Sequence, residues 1–336
     1  MVATPNPRKT PSDLIVNLKH TERLLRCTNL IAIGQVRCPA WHPDFAFGGP
    51  SMCPYVGFSR LPVALMRQGR PEISTFNTVR LHDVGQTYGR KAINKMGDNA
   101  DWIAISPSLA QELLWIARYS SPGGDNLDFP CTFAPLSSAH FLAQRRLFNA
   151  TKYLEAIDDL SVEDCVIPLL TGILEAAFSF SDRRGKIAKA SRPSLNPRQI
   201  ASVQEIKRRL ATECGTQYSL PELARCIHSS PGWLSRIFPR YTGYSVHQYQ
   251  LQLRLRLSLQ LLQQPVANVA NVASDLGFSS HSHFSAMFRH HFRVSPSAFA
   301  SGRHPLSVVR PLADTMDRRH SRHWPIEFKR VLRERS

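Results

Sequence analysis

Apolar positions in the last third of the chain recur at the spacing of helices, in two similar arrangements. In the later arrangement, a short helix is predicted over Asn268–Leu276. It should end at Gly277, because glycine takes the left-handed cap of a helix at little steric cost. Two serines then offer caps for a second helix, on which Phe284 and Phe288 lie four residues apart and share one face. This pattern predicts a helix-turn-helix.

The same layout occurs once before in the chain. Ser219–Ile227 has the apolar spacing of a helix, and His228–Ser230 form the break. Pro231 suits the first position of the next helix, where the missing N–H has no partner to lose. Leu234 and Phe238 then fall on its inner face. We therefore predict a second helix-turn-helix unit.

The segment that joins the two units, Ser245–Gln264, gives conflicting signals. Its leucines alternate with Gln, Arg or Ser, and a period of two residues predicts a strand. However, residues 248–264 contain no β-branched residue, and Leu, Gln and Arg are strong helix formers. Ser245 can cap a helix start. We therefore predict a helix.

The N-terminal half begins with short strand-like runs between Asn29 and Ile93, separated by Gly/Pro turns. Strands at this spacing predict a small sandwich or barrel. The predicted strands are Ile31–Ile33, Tyr55–Phe58, Val63–Met66 and Thr75–Val79.

Three helices are predicted to follow, over Pro107–Arg118, Ser137–Leu154 and Ser161–Phe180. Pro168 favours a start of the third helix nearer Asp164, because proline is tolerated only in the first turn. This third helix is so apolar that it must be buried, either in its own domain or against a second copy. Between these alternatives we expect a homodimer.

Charge indicates the class of partner. The 336 residues carry a net charge of +17, and residues 195–301 hold 11 Lys/Arg against 4 Asp/Glu. Residues 302–336 hold a further 9 against 4. A dense basic excess beside two helix-turn-helix units indicates double-stranded DNA rather than a merely solvated surface.

The sequence also indicates the cellular compartment. No apolar run approaches the length of a bilayer-spanning helix, and the N-terminus has no signal-peptide pattern. Seven scattered cysteines fit reduced thiols. We expect a cytoplasmic protein without a membrane partner.

The recognition residues follow from chemistry and position. Arg236 can donate two hydrogen bonds to a guanine edge, and the alternatives are a phosphate contact or a surface charge; Ser235 beside it can reach any base. His281, Ser282 and His283 lie in the first turn of the later second helix, where polar side chains suit base edges. Helix capping or packing is the alternative for the histidines.

Several fixed-spacing stretches together resemble the AraC/XylS family of bacterial transcription regulators, over Asn196–Ser301. They are Leu234–Phe238, Thr242–Ser245, Arg254–Arg256, Gly277–Ser285 and Val294–Pro296. The resemblance implies a sequence-specific DNA-binding regulator, an activator that contacts RNA polymerase, and phosphate contacts from Arg289 and its counterpart Arg240. It also implies an N-terminal cupin-like barrel that often binds a small-molecule effector.

The resulting fold class is α+β: a cupin-like β-barrel or sandwich with helices, then an all-α domain of two helix-turn-helix units. The predicted divisions are a sensor and dimerisation domain over 1–180, a linker over 181–197, the DNA-binding domain over 198–301, and a basic extension over 302–336. Two residues depart from the family pattern. Pro239 should shorten or kink its helix, and Arg293 stands in a left-handed turn position where relatives have glycine.

Two other classes of function were weighed. An enzyme built on the barrel could use His20, His42, His82 and Asp83, but no His-x-His pair with a following carboxylate occurs in residues 1–100. The spacing of Cys38 and His42 is a weak metal signal. We therefore expect no catalytic residue, no metal and no cofactor. The third class is a protein-interaction module that acts without a ligand.

Overall fold

The computed structural model describes an N-terminal domain of strands and helices and a C-terminal domain of helices. It covers residues 21–67, 69–119, 128–153, 158–189, 195–264 and 266–301. The predicted basic extension over 302–336, and His20, lie outside the described residues.

Ten strands within the described residues form two antiparallel sheets, which confirms the predicted sandwich. They are β1 (Glu22–Cys27), β2 (Ile31–Cys38), β3 (Phe47–Gly48), β4 (Tyr55–Ser59), β5 (Val63–Arg67), β6 (Arg70–Ser74), β7 (Thr78–His82), β8 (Tyr88–Lys91), β9 (Asp98–Ile105) and β10 (Phe133–Pro135). The larger sheet has the order β1-β2-β9-β4-β7-β10, and the smaller has the order β3-β8-β5-β6.

One strand starts later than its sequence indicates. Residues of the run Thr75–Val79 were expected to be extended throughout, but β7 begins only at Thr78. The N–H of Thr75 donates to the Thr78 hydroxyl (3.1 Å), and the N–H of Thr78 donates to the Thr75 carbonyl (3.1 Å). Side chains that bond the nearby backbone in this way favour a turn over a strand. The prediction was wrong for Thr75–Asn77.

Three helices cover the outer face of the larger sheet: α1 (Pro107–Tyr119), α2 (Ser138–Tyr153) and α3 (Asp159–Lys189). Their apolar residues and alternate residues of the sheet form one core. The three predicted helices are therefore confirmed, with small shifts at the ends of α1 and α2; Leu154 lies outside the described residues.

The third helix is longer than predicted at both ends. It starts before Ser161, because Asp158 accepts the N–H of Ser161 (2.7 Å) and caps the first turn. Pro168 lies inside the helix rather than near its start. The linker predicted from residue 181 is wrong for 181–189, which continue the helix. Gly, Pro, Ser and charged residues over 181–197 predict a linker without packed structure, but the helix continues to Lys189.

The apolar stripe of α3 is buried within its own chain. At most 5% of each side chain is exposed for Val162, Val166, Leu169, Leu170, Ile173, Leu174, Ala177 and Phe180. Pairing of two copies is therefore not needed to cover this stripe, and the argument that a homodimer buries it no longer holds.

By length and composition Asp159–Arg183 could cross a membrane, contrary to the expectation from the apolar pattern. Core helices of soluble proteins have the same composition. Because these apolar side chains pack against α1, α2 and the larger sheet, we assign the helix to the core.

The C-terminal domain contains seven helices within the described residues, each with a Ser or Asn cap. They are α4 (Pro197–Thr212), α5 (Leu220–Cys226), α6 (Pro231–Thr242), α7 (Val246–Leu261), α8 (Val269–Asp275), α9 (His281–Phe292) and α10 (Pro296–Ala300). Their caps are Asn196, Ser219, Ser230, Ser245, Asn268, Ser280 and Ser295. The leucine-rich segment is a helix, as its composition and Ser245 predict.

The two departures from the family pattern have different outcomes. Pro239 does not shorten α6, which continues to Thr242 and ends with the Gly243 N–H on the Pro239 carbonyl (2.9 Å). Because proline has no N–H, one helical hydrogen bond is missing at Pro239, but the turn that follows Pro239 still forms. Arg293 has the left-handed conformation expected of its position, with φ 58°.

Candidate nucleic-acid interface

Helix α7 holds both helix-turn-helix units through buried polar side chains. Gln250 accepts the N–H of Tyr218 and donates to its carbonyl (3.0 Å each), just before α5. Arg254 donates to the carbonyl of Gly277 (3.1 Å) in the turn of the second unit, and its guanidinium lies 4.9 Å from the ring centre of Phe278. The sequence analysis missed these two residues, although polar residues on a helix face that is otherwise leucine are a usable signal.

The turn of the second unit also touches the backbone of the loop that joins α4 to the first unit. A Cβ on Gly277 would overlap the carbonyl oxygen of Gly215, and a Cβ on Gly215 would approach the carbonyl oxygen of Asp275 at 2.5 Å. Both glycines therefore permit a close approach that no larger residue allows. This contact and α7 fix the position of one unit relative to the other.

The second helix of each unit packs one face inward and exposes the other. The buried positions of α6 are Leu234, Ile237 and Phe238. The buried positions of α9 are Phe284, Phe288 and Phe292, whose successive ring centres lie 5.6 and 4.8 Å apart. Of the predicted DNA contacts, Arg240 is half-buried and the others are exposed, namely Ser235, Arg236, His281, Ser282, His283 and Arg289.

The exposed face of α6 is open at its head. A Cβ on Gly232 would meet nothing within 4 Å. Its carbonyl accepts from the Ser235 hydroxyl (3.0 Å) and from the Arg236 Nε (3.1 Å), which align both side chains along the exposed face. An approaching polyanion would therefore meet the arginine and the hydroxyl on one surface.

Serine hydroxyls hold the first turn of α9. The hydroxyl of Ser280 accepts the N–H of His283 (3.1 Å), and the hydroxyl of Ser279 lies 3.2 Å from the His283 Nδ1. The His283 ring also stands edge-on to Phe278, with 5.8 Å between ring centres. These contacts favour the capping and packing alternative for His283. His281 and Ser282 are exposed beside it.

The counterpart of Arg289 is not Arg240. Counted from the caps Ser230 and Ser280, Arg289 has the place of Pro239, and Arg240 has the place of His290. The sequence analysis was wrong by one residue here, because aligned letters do not show where each helix begins.

Not every basic residue of the domain is available at the surface. Lys207, Arg254 and Arg256 are at most 4% exposed and serve internal contacts. The remaining excess is carried by exposed residues, including Arg198, Arg225, Arg236, Arg289 and Arg293. Exposed cations on and beside the second helices favour an anionic partner.

The C-terminal domain is docked on the N-terminal domain through a carboxylate on β6. Glu72 accepts hydrogen bonds from Gln204 (2.7 Å), from the hydroxyl of Tyr241 and from the ammonium group of Lys207. Tyr241 belongs to the last turn of α6. The first unit is therefore tied to the β-sandwich at the end of its exposed helix.

A second group of contacts docks α7 on the turn before β7. The Tyr249 hydroxyl lies 2.7 Å from the Thr75 hydroxyl, and Asn77 donates to the Tyr249 carbonyl (2.8 Å). Arg256, with no exposed surface, donates to the carbonyl of Phe76 (2.6 Å). Burial lowers the pKa of Arg256 and raises that of Tyr249. These residues escaped sequence analysis, because only the tertiary structure places them opposite a turn.

Known proteins resemble part of this chain. A family model described as a helix-turn-helix domain matches residues 223–302. The HTH-type transcriptional regulator YidL of Escherichia coli, described as uncharacterised, is 36% identical over 100 residues, which are 30% of this chain and 34% of YidL. The Msm operon regulatory protein of Streptococcus mutans is 31% identical over 99 residues, which are 30% of this chain and 36% of that protein.

The match to the family model begins within α5 and continues past α10, so it includes α6 and α9, the exposed helices of both units. Among solved structures, an AraC-type transcriptional regulator from Chromobacterium violaceum is 30% identical, with a TM-score of 0.30, over 32% of this chain and 96% of that one. ToxT from Vibrio cholerae is 11% identical, with a TM-score of 0.31, over 84% of this chain and 98% of that one. The chain spans about a third of the length of YidL and of the Msm regulator.

Two of the residues considered for an enzyme, His42 and His82, are engaged in capping and packing. His42 caps a short helix by accepting the N–H of Asp44 (3.2 Å), and His82 has no exposed surface. Within the described part of the chain, no group of three or more His, Cys, Asp or Glu residues is placed to hold a metal ion.

Proposed function

We propose that this protein is a sequence-specific transcription regulator that binds double-stranded DNA through its AraC-type domain. In this proposal α6 and α9 enter two successive major-groove segments on one face of the duplex. The observation that carries the proposal is the pair of exposed polar helix faces fixed to one another by α7. YidL is named a transcriptional regulator and the Msm protein an operon regulatory protein, and both names agree with the proposal.

The proposed roles divide between bases and phosphates. Arg236 and Ser235 would contact base edges from α6, and His281 and Ser282 would do so from the head of α9. Arg240, Arg289 and His283 would contact the backbone of the duplex, which sets register without carrying sequence information. Gly232 extends no side chain, so the head of α6 would contact few bases.

The salt dependence of DNA binding tests the proposal. If each unit neutralises about three or four phosphates, the logarithm of the association constant of the full-length protein should fall with log salt with a slope on the order of −5 to −7. Fluorescence anisotropy with a labelled duplex measures this slope. A slope near zero would remove DNA binding from the proposal.

A matched pair of variants makes the titration specific. Arg289→Ala should reduce the magnitude of the slope by about one, because one phosphate contact is lost. Arg70→Ala removes an exposed cation from the N-terminal domain and should leave the slope unchanged. Equal changes in both variants would indicate nonspecific attraction to the whole surface.

Further partners are part of the proposal on the strength of the resemblance. They are RNA polymerase, contacted by an activator in the cytoplasm, a small-molecule effector, and a second copy of the chain. A homodimer would need an interface other than the α3 stripe. Light scattering of the full-length protein tests it: a dimer mass that survives dilution is expected, and a monomer mass would remove this partner.

A further inference from the structure

The space between the two sheets of the β-sandwich is polar and basic at one end. Three arginines from three strands lie there, Arg67, Arg80 and Arg90, with the carboxylate of Asp98. An NH1 atom of Arg80 lies 3.5 Å from Asp98 Oδ2, and an NH1 atom of Arg90 lies 3.3 Å from the same oxygen. These three side chains are at most 4% exposed. Asp98 thus pairs with two of the three arginines, and the half-buried Arg67 lies beside them on His82.

The third arginine is not balanced by a direct ion pair. Arg67 lies 2.9 Å from the His82 Nδ1 and donates to Gln86 (2.9 Å), which in turn donates to Asp83 (2.7 Å). Burial and the two neighbouring arginines lower the pKa of His82 well below its usual value, so this ring is neutral. Among the five ionised side chains Arg67, Arg80, Arg90, Asp83 and Asp98, three are positive and two are negative, so these five keep a surplus of one positive charge.

The same cluster contains polar atoms that lack a hydrogen-bond partner among the described residues. They are the Nε atoms of Arg67 and Arg80, the Nε2 of His82 and one oxygen of Asp98. Such buried orphan atoms are uncommon in folded proteins, because each costs the loss of its hydration. A surplus buried cation is more costly still unless an anion accompanies it. Donors without an acceptor, next to positive charge, are the surroundings in which an anionic ligand binds well.

Aromatic rings line the cluster. The ring of Tyr55 stacks on His82 with 4.2 Å between centres, and the ring of Tyr88 lies 5.0 Å from His82. The two tyrosine hydroxyls are 3.4 Å apart. Gly57, paired with Arg80 across the sheet, gives the guanidinium room, because a Cβ there would lie 3.0 Å from its Nε.

We infer that this end of the sandwich binds a small organic monocarboxylate. The carboxylate would accept hydrogen bonds from Arg67 and Arg80, and its apolar part would lie against the rings of Tyr55 and Tyr88. A single negative charge matches the surplus of one positive charge. A phosphate, which is nearly doubly charged at neutral pH, would overcompensate it.

Strand β7 connects this cluster to the DNA-binding domain. Arg80 and His82 lie on β7, and the turn directly before it bonds α7 through Phe76 and Asn77. Carboxylate binding would therefore act on β7, and Asn77, directly before β7, donates to the Tyr249 carbonyl. The regulatory meaning of the site rests on the proposed function, whereas binding of the carboxylate does not.

Ligand binding can be measured without DNA. Thermal unfolding and calorimetry of the full-length protein would be followed with sodium acetate and sodium butyrate, and with sodium chloride and sodium phosphate at matched ionic strength. A saturable rise in Tm and a finite Kd are expected with the carboxylates, and no saturable effect with chloride. An equal response to chloride or phosphate, or no saturable response to either carboxylate, would overturn the inference.

Variants separate a binding site from a structural cluster. Arg67→Gln and Arg80→Gln should each weaken carboxylate binding by about tenfold or more. Without ligand, Arg67→Gln should be at least as stable as the parent protein, because the cation without an ion pair is removed. The control is Arg60→Gln, which breaks a satisfied pair with Asp101 (2.6 Å). It should lower Tm and leave the carboxylate Kd unchanged.

A different result would assign the cluster to stability alone. That result is a fall in Tm for Arg67→Gln and Arg80→Gln as large as for Arg60→Gln, with the carboxylate Kd of the parent protein retained. DNA binding by the parent protein is measured separately by anisotropy, so failure of the regulator proposal and failure of the carboxylate site give different outcomes.

Discussion

The two helix-turn-helix units have the same plan but place their glycines in opposite turns. The residue between the two helices is His228 in the first unit, with φ 50°, and Gly277 in the second, with φ 68°. After the exposed helix the order is reversed. The first unit then has Gly243, with φ 79°, and the second has Arg293, with φ 58°. All four positions are left-handed.

The comparison shows which of the four left-handed positions require glycine. A Cβ on Gly277 would overlap the backbone of Gly215, and a Cβ on Gly243 would approach Pro135 at 3.2 Å. His228 and Arg293 are exposed to solvent. A left-handed turn tolerates a side chain at a cost of about 1–2 kcal/mol. Glycine is therefore found where a second part of the protein closes over the turn.

The units also differ in their attachment to the β-sandwich. In the last turn of the exposed helix of the first unit, the Tyr241 hydroxyl donates to Glu72. The exposed helix of the second unit approaches α2, where the Nδ1 of His291 lies 3.5 Å from the Ser138 hydroxyl. A change in the N-terminal domain would therefore reach the first unit through a buried ion pair and the second through a weak contact.

The largest expected effect comes from breaking the attachment of the first unit. Glu72→Gln leaves Lys207, with 1% of its surface exposed, without its carboxylate. Removal of one partner from a buried pair costs about 3–5 kcal/mol of stability. Urea unfolding measures the loss, and hydrogen exchange should increase more in α6 than in α9.

The control is Glu205→Gln on the same helix as Lys207. Glu205 pairs with Arg208 at the surface (2.5 Å), and exposed pairs contribute at most about 1 kcal/mol. If both variants lose the same stability, or if α6 and α9 exchange equally, the proposed difference in attachment is wrong.

The next largest effect concerns the turn of the second unit. Gly277→Ala should lose about 2–4 kcal/mol, because a left-handed strain is added to a backbone overlap with Gly215. Gly232→Ala is the matched control. It lies in α6 with open space around a Cβ and should gain up to about 1 kcal/mol. A tolerated Gly277→Ala would mean that the turn of the second unit does not touch Gly215.

An intermediate effect concerns DNA specificity. Arg236→Ala should lose about 1–3 kcal/mol of discrimination at one base position, because its fork of donors is lost. Arg289→Ala should weaken all sequences to a similar degree. Selection from a random duplex library measures both profiles. Indistinguishable profiles would show that the two residues do not have different roles.

The smallest expected effect comes from removing backbone strain in the two exposed turns. His228→Gly and Arg293→Gly should each gain up to about 1 kcal/mol, since glycine removes the left-handed strain and loses little else. Thermal unfolding compares the two variants with the parent protein. A loss of stability in either would reveal a contact of the His228 or Arg293 side chain with a neighbouring segment.

Sequence was sufficient wherever the signal is local. Each cap of the C-terminal domain is a Ser or Asn beside its helix, and Gly277 marks a turn by its identity. The composition of Ser245–Gln264 outweighed its period of two residues, because helix propensity accumulates along a segment. The turn at Thr75–Asn77 and the length of α3 were missed, since backbone and side-chain hydrogen bonds with near neighbours moved the boundaries.

The sequence by itself determined the two helix-turn-helix units and the order of sandwich, helices and C-terminal domain. Periodicity, caps and turn residues act over a few positions and are visible in the letters. Tertiary structure alone decided that Arg256 and Tyr249 are buried against a turn some 170–180 residues away, and that two arginines share Asp98. Burial and charge balance depend on which strands become neighbours. That pairing is a property of the whole chain, so no local pattern contains it.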